Sequence, residues 1–559
     1  MTETKEQRIA DLIKDAAEYA TDPDAPSADQ GATKPKLLIE PNDPHRTVAA
    51  LRDILAERGD LFDRGAPVRL FKDRRSGAIM ARAVTADRIV MLAHQLARPV
   101  AFKPSEHSKG KFVEFNAPLP RAIATTYLEL HGEWQLRPLN GIASAPLLRP
   151  DGSIWAANGY DAATGLFLEN VPTISGLVPA APNQADAAAA LALIRSIFAT
   201  FCFADATTVQ DANGVPMVDQ ARPPSCDESA FLVALLTAVC RPSLEFAPGF
   251  LFRAPQLSGA GAGKGLLVRS ICRIAFGQDP HAVTGGSDLH ELEKRISAEL
   301  MASGPVLFLD NLNNVTFKSN LLASAITERP ARVRVLGKSE MLPINATAFI
   351  VMTGNALVVS EDLTRRFVAI DLDARVEDPE ARAFPTDITQ TVKDRRIDLL
   401  VAALTIWRWG RQQTLPTGKP LGGFPQWCQW VRDPLLALGC PDPVVRMVDA
   451  KRHDGQRQAT VEIFQLWQHW HSDRPVKASG LHAEIKAVLD PQQRGRQFVE
   501  KCVASLVGVR VAGFVLSRQR SMGKWSAATY ALQSAGDCQG HSEHSGQEVR
   551  HPDHTDEPK

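Results

Sequence analysis

The stretch GFLFRAPQLSGAGAGKGLLVRSICRIAF, residues 249–276, decides the fold. Its first six residues are mostly apolar, as in a buried strand, and the closing run LLVRSICRIAF has the pattern of a helix. Between the two lies a glycine-rich loop that ends in Lys264 and Gly265. A strand, a glycine-rich loop, a lysine and a helix in this order predict a phosphate-binding loop.

The physical basis of this prediction is the convergence of backbone donors. Glycines let several N–H groups approach phosphate oxygens with no Cβ in the way, and the helix N-terminus adds its free donors and its dipole. Lys264 would reach the β- and γ-phosphates of ATP. The predicted nucleotide-binding residues are Gly259, Ala260, Gly261, Ala262, Gly263, Lys264 and Gly265. A flexible glycine-rich loop is the alternative interpretation.

Two positions depart from the usual phosphate-loop pattern. Ser258 stands where the first glycine is expected, and Gly265 stands where a Ser or Thr would hold Mg²⁺. A bound metal would then rest on an acidic strand residue and water, or hydrolysis would be weak.

A second apolar strand supplies that acidic residue. In PVLFLDN, residues 305–311, Asp310 follows four apolar residues, and ligand sites in parallel sheets form at such strand ends. Asp310 is therefore the predicted Mg²⁺ ligand. Asn311 occupies the place of the usual catalytic glutamate, so Glu291 or Glu293 is a candidate general base. An exposed helix face with a Glu–Lys pair explains those two glutamates equally well.

A third apolar strand and an arginine pair complete the series. The run AFIVMTGN, residues 348–355, ends in Asn355, which would position the attacking water. Arg365 and Arg366 follow, and either could act as an arginine finger on a neighbouring subunit. The alternative is a surface arginine pair at a helix end.

Composition limits the class of protein. Lys+Arg and Asp+Glu both number 63, which excludes a uniformly basic nucleic-acid coat but not a local basic patch. The 8 cysteines form no CxxC motif, which is typical of reduced thiols. The charged N-terminus shows no signal-peptide core, and the longest uncharged apolar run, 231–240, is short of the roughly 20 residues that span a bilayer. We expect a cytoplasmic protein that is not in a membrane.

The chain divides into seven predicted segments. They are a disordered linker (1–50), an N-terminal α+β domain (51–180), a helical region (181–245), an ATPase core (246–374), a helical domain (375–475), a winged-helix-like domain (476–532) and a disordered tail (533–559). The expected fold class is α/β, with an AAA+-like P-loop NTPase core around a parallel sheet.

The motifs GAGAGKG, VLFLDN, RVRVLGKSEMLP, TGN and EDLTRRF, taken in order, resemble those of superfamily 3 helicase-type AAA+ ATPases of phage and plasmid primase–helicases. The resemblance covers roughly residues 130–532. It implies a homo-oligomeric ring, often a hexamer, with ATP between subunits and single-stranded DNA in the channel. It also implies a β-hairpin that carries a DNA-contacting lysine, here Lys338; an ordinary hairpin with a solvated lysine is the alternative.

The C-terminal segment predicts two helices and a hairpin with a basic turn, as in a winged helix. Arg518 and Lys524 would contact DNA there, although a protein-docking winged helix would also carry such charges. No primase domain is recognisable, so a separate primase or replication initiator is an expected partner.

These observations together predict an ATP- and Mg²⁺-dependent helicase or translocase of mobile-element replication. A nucleotide-binding switch or assembly ATPase, regulatory or defensive, is the main alternative, and Gly265 and Asn311 favour it. A terminase-type packaging motor would need a nuclease domain that the sequence does not show. A DNA-binding module without enzymatic activity would leave the phosphate loop unexplained.

Overall fold

The computed structural model of the chain is described here for residues 34–73, 79–105, 112–256, 259–284, 288–313, 316–335, 341–382, 384, 386–445, 447, 455–491, 493–519 and 528–534. The chain has a mixed α/β fold built on a parallel sheet. Among the described residues, no helix is both long enough and apolar enough to cross a membrane.

The central sheet has five parallel strands, in the order Ala282–Thr284, Val306–Asp310, Phe349–Asn355, Gly249–Ala254 and Phe367–Asp371. Met352 lies between Leu309 and Leu251 in the register of the three middle strands. These strands are apolar on both faces because helices cover a parallel sheet on both sides. The predicted α/β class with a parallel sheet is confirmed.

Helices that come before, between and after the sheet strands in sequence form one core with the sheet. They are Gln184–Ile197, Cys226–Cys240, Lys264–Phe276, Leu289–Ala302, Asn320–Thr327, Glu361–Thr364, Ile388–Asp394, Arg396–Gln412, Pro425–Trp427 and Asp433–Ala437. The segment Cys428–Arg432 is a short π-helix. Every residue of the helix Cys226–Cys240 after the first is buried, so the helix exposes no face to solvent. Ser225 caps this helix by accepting the Glu228 N–H at 3.2 Å.

Short strands and two hairpins join these helices. The hairpin strands are Thr208–Gln210 with Pro216–Val218 and Ala331–Arg334 with Met341–Ile344, and a parallel pair joins Thr316–Phe317 to Val358–Val359. Strands Gly141–Ala143, Leu147–Leu148, Ile154–Trp155, Gly159–Asp161 and Leu166–Leu168 lie upstream.

An N-terminal unit has its own core, separate from that of the sheet. Helices Pro44–Ala56, Ala86–Leu96 and Arg121–Leu128 pack with two sheets, one of strands Lys36–Leu38, Arg98–Pro104 and Phe112–Asn116, the other of Leu61–Asp63, Pro67–Lys72, Ile79–Ala83 and Arg137–Pro138. The unit begins inside the segment expected to be a linker. Asp43 caps its first helix, Pro44 fits the first helical turn, and Leu37 is fully buried. Residues 1–33 lie outside the described part.

The expected domain boundary at residue 180 also differs from the structure. Ala145, Leu148, Ile174 and Val178 are buried in the core of the central sheet and not in that of the N-terminal unit. These four residues therefore belong with the sheet and its helices, whereas a small separate cluster contains Ala143, Leu147, Leu166, Leu168 and Val171.

A C-terminal unit has a third core. It contains helices Gly455–His471, Ala483–Leu489 and Arg496–Ser505 and a sheet in the order Val476–Lys477, Thr529–Ser534, Phe514–Gln519 and Arg510–Val511. Phe464 and Trp467 of the first helix are fully buried in this core, so the unit starts before the expected boundary at 476.

Candidate functional site

The glycine-rich loop, residues 259–263, joins the C-terminal end of the strand Gly249–Ala254 to the helix Lys264–Phe276. Gly261 and Gly263 have φ of 69° and 90°, in the left-handed region that favours glycine. A Cβ on Gly261 would collide with Glu380, and a Cβ on Gly259 would lie 2.7 Å from Asn355 Oδ1. Glycine is therefore required at these positions by backbone geometry and by close packing.

Lys264 is the first residue of the helix, and its side chain folds back over the loop. The Nζ atom donates to the Gly259 carbonyl at 2.6 Å. Burial lowers the pKa of this ammonium, while the nearby Cys202 and Asp310 act in the opposite direction. The loop and Lys264 follow the carboxyl end of their strand, and Asp310 ends another strand at the same end of the parallel sheet.

Asp310 ends the strand Val306–Asp310, next to the strand that ends in Asn355. The Thr353 hydroxyl donates to Asp310 Oδ1 at 2.5 Å. An Arg269 guanidinium nitrogen lies 3.6 Å from Asp310 Oδ2. Both carboxylate oxygens therefore have partners from this chain.

Asn355 lies beside the glycine-rich loop, where its strand ends. Its backbone N–H donates to Asn313 Oδ1 at 2.7 Å, and its own Oδ1 is buried with no hydrogen-bond partner. An orphaned buried acceptor next to the loop is a ready partner for a water molecule or a bound ligand.

Asn311 turns away from the strand in a left-handed conformation, with φ of 64°. Its N–H donates to Thr353 Oγ1 at 3.1 Å, and its Oδ1 accepts from Asn313 Nδ2 at 2.5 Å. Asparagine tolerates this backbone better than most residues. An amide, and not a carboxylate, thus follows Asp310.

Glu293 lies on the helix Leu289–Ala302 and accepts the Ser319 hydroxyl at 2.7 Å. Ser319 in turn caps the helix Asn320–Thr327, so Glu293 stabilises the first turn of that helix through Ser319. Glu291 pairs with Lys294 on the exposed face of its own helix. Among the described residues, the side chains of Glu291 and Glu293 thus pair with Lys294 and Ser319 and not with residues 259–265.

Arg365 and Arg366 lie at the amino-terminal ends of the sheet strands, opposite the end that carries the glycine-rich loop. Both pair with Asp362, and the strand that follows them starts at Phe367, opposite Gly249. The glycine-rich loop starts beyond Ala254, at the far end of the same strand pair. Six strand residues at about 3.3 Å each place about 20 Å between these arginines and the loop of the same chain.

Of the three residues predicted to contact DNA, only Arg518 lies in the described part of the chain. Lys338 lies outside the described residues, between the paired strands Ala331–Arg334 and Met341–Ile344. Lys524 also lies outside them. Arg518 is exposed on the strand Phe514–Gln519, opposite Tyr530.

Several residues of the site were missed at the sequence level. Thr353 and Asn313 connect Asp310, Asn311 and Asn355 through the hydrogen bonds above, and Cys202 donates to the Ala262 carbonyl at 3.4 Å. Burial raises the pKa of the Cys202 thiol. The only available signal was the position of Thr353 and Asn313 beside strand ends, whereas nothing near the loop in sequence points to Cys202.

No group of three or more His, Cys, Asp or Glu side chains that could hold a metal ion occurs within the described ranges. A divalent cation at Asp310 would therefore depend on one carboxylate, water and the ligand itself.

Comparisons with known proteins give only distant similarity. None of the protein-family models and none of the curated proteins compared with the sequence matches it. Among solved structures, the NrS-1 C-terminal region is 11% identical with a TM-score of 0.33 and covers 87% of this chain and 98% of its own.

Two helicase structures are also distantly similar to this chain. The SCCmec type IV Cch active helicase is 11% identical, has a TM-score of 0.27 and covers 86% of this chain and 98% of its own. The JCV helicase is 14% identical, has a TM-score of 0.20 and covers 41% and 58%. Similarity at this level decides neither fold nor function, so the assignment rests on the residues of the site.

Proposed function

We propose that this chain is an ATP-hydrolysing P-loop enzyme of the superfamily 3 helicase type, which moves on single-stranded DNA during mobile-element replication. One observation supports this most. The glycine-rich loop, Lys264, Asp310 and Asn355 meet at the carboxyl edge of one parallel sheet. Backbone donors and a lysine would bind the triphosphate there, and the Asn355 amide would orient the attacking water.

The proposal includes a ring of identical subunits, a hexamer in the simplest case. Arg365 and Arg366 lie at the opposite edge of the sheet from the loop of their own chain, so a finger role requires a neighbouring subunit. Such an arrangement makes hydrolysis depend on assembly.

The proposed DNA contacts lie on two separate elements. The hairpin with strands Ala331–Arg334 and Met341–Ile344 would present Lys338 to the strand in the channel. The C-terminal unit, which has three helices and an antiparallel sheet, would act as a winged helix, and Arg518 and Lys524 would contact phosphates from it. A separate primase or replication initiator would supply priming.

The test measures ATP hydrolysis with and without single-stranded DNA on the wild type, Lys264→Ala and Lys393→Ala. Loss of the ammonium should weaken ATP binding on the order of 10- to 100-fold, since charge-assisted hydrogen bonds contribute about 1.5–3 kcal/mol. Lys393 is exposed on the helix Ile388–Asp394, so its variant should behave as the wild type. ATP affinity unchanged in Lys264→Ala would contradict the nucleotide site.

A nucleotide-dependent switch or assembly ATPase is the second candidate. The hydrogen-bonded Asn311, in place of a catalytic carboxylate, favours it, because an amide cannot take a proton from water. ATP binding with no DNA-dependent turnover in the same assay would select this function over the helicase.

A further inference from the structure

Arg269 lies one helical turn after Gly265, and its side chain covers that glycine. A Cβ built on Gly265 would be 2.6 Å from Arg269 Nη1, so the flexible end of the arginine side chain would have to shift to admit it. The guanidinium therefore fills the space that a Ser or Thr side chain would take at this position. Glycine at 265 is what allows the arginine to lie there.

The same guanidinium reaches the carboxylate that was expected to hold Mg²⁺. Arg269 Nη2 lies 3.6 Å from Asp310 Oδ2, and the Thr353 hydroxyl occupies Asp310 Oδ1. The Cζ atom of Arg269 is 5.7 Å from the centre of the Phe308 ring, on the strand that leads to Asp310. Arg269 thus contacts two residues at the end of this strand, Asp310 and Phe308.

This arrangement does not fit a divalent cation. Mg²⁺ needs six oxygen ligands in near-octahedral geometry, and the usual hydroxyl ligand is missing at Gly265. The positive charge of Arg269 beside Asp310 also repels a second cation. An arginine is always charged and can bind phosphate with two parallel N–H donors.

We infer that Arg269 takes the place of Mg²⁺ at Asp310, so that the chain binds a nucleoside triphosphate without a divalent cation. The inference rests on the proposed nucleotide site and changes its chemistry. Gly265 and Arg269 act together. Glycine at 265 leaves the site without the metal-binding hydroxyl, and the arginine supplies the positive charge that faces the phosphates.

The experiment measures the affinity of the full-length chain for a fluorescent ATP analogue, once with excess Mg²⁺ and once with EDTA. The wild type should bind with similar affinity in both conditions. Arg269→Ala should bind on the order of tenfold more weakly, or worse, in EDTA because it loses charge-assisted contacts to the triphosphate. Mg²⁺ should restore much of that affinity, since Asp310 is then free to hold the metal.

Two further variants sharpen the result. Gly265→Ser combined with Arg269→Ala rebuilds the usual hydroxyl and should show the strongest dependence on Mg²⁺. Arg273→Ala removes a positive charge from the same helix, but Arg273 pairs with Asp279, so this variant should bind equally in both conditions, as the wild type does.

The comparison on the wild type needs no substitution and therefore does not depend on whether a variant folds. Wild-type binding that is lost in EDTA would overturn the inference and leave the proposed nucleotide site intact. A wild type that binds no nucleotide in either condition would overturn both. Equal binding by Arg269→Ala and the wild type in EDTA would also overturn the role of this arginine.

Discussion

Two adjacent arginines, Arg365 and Arg366, lie in different surroundings. The Arg365 side chain is 69% exposed, while that of Arg366 is 17% exposed and donates to the Asp362 carbonyl at 2.6 Å. The Gly249 N–H also donates to the Arg366 carbonyl at 2.9 Å. A finger must leave its own subunit and enter another, and only Arg365 is free enough to do so.

We predict that Arg365→Ala lowers ATP turnover about 10³-fold or more with little change in ATP affinity, since an arginine finger acts on the transition state. Turnover and analogue binding are measured on separate samples of the same variant. Mixing Arg365→Ala subunits with Lys264→Ala subunits should restore turnover at some sites, because the intact loop of one subunit then lies next to the intact Arg365 of the other.

Arg395→Ala is the matched control for this prediction. Arg395 pairs with Asp398 three residues later, just as Arg365 pairs with Asp362 three residues earlier. Its removal should leave turnover unchanged. If the mixture of Arg365→Ala and Lys264→Ala subunits stayed as inactive as each variant alone, a finger acting between subunits would be ruled out.

At the scale of elements, an ion pair joins the helices Gln184–Ile197 and Cys226–Cys240 inside the core. Arg195 Nε and Nη2 donate to the two oxygens of Glu228 at 2.8 and 3.1 Å. The side chains are only 8% and 4% exposed. Each charge is acceptable in this place only because the other is present.

We predict that Arg195→Met lowers the free energy of unfolding by about 3–5 kcal/mol, because it leaves the Glu228 carboxylate buried without a partner. Adding Glu228→Met should recover most of that loss. Urea unfolding of the full chain, followed by circular dichroism, gives the shift for each variant.

Arg222→Met removes an exposed arginine that pairs with Asp219 and should change the unfolding free energy by less than about 0.5 kcal/mol. If the double variant were as unstable as the sum of the two single variants, Arg195 and Glu228 would not be coupled.

At the scale of the whole molecule, the N-terminal unit is anchored to the helix that precedes the Asp310 strand. Arg64 donates to the carbonyls of Leu300, at 3.0 Å, and Met301 in the last turn of the helix Leu289–Ala302. Burial lowers the pKa of Arg64 to about 10. A cation at a helix C-terminus also interacts favourably with the helix dipole.

We predict that Arg64→Ala increases hydrogen exchange in the last turn of this helix by about tenfold or more, since two partly buried carbonyls lose their donors. Exchange measured by mass spectrometry on matched peptides reports this change. Arg52→Ala, which removes an arginine paired with its exposed neighbour Asp53, should leave the same peptides unchanged. Unchanged exchange in Arg64→Ala would show that other contacts hold the two units together.

The sequence by itself determined the central motifs and their order. The apolar runs before Asp310 and Asn355 are strands because residues buried on both faces of a parallel sheet must be apolar. The glycines at 261 and 263 are required by a positive φ, which is also a local property. Such features depend on residues close together in the chain and are therefore visible in the sequence.

Only the tertiary structure decided which distant groups meet. Arg269 and Asp310 come from different elements, as do Asn313 and Asn355, and no spacing rule connects them. The exposed Arg365 and the half-buried Arg366 are indistinguishable in sequence. Packing selects these pairs, because the direction of each side chain depends on how helices and strands lie against one another. The role of glycine at position 265 is visible only from its contact with Arg269.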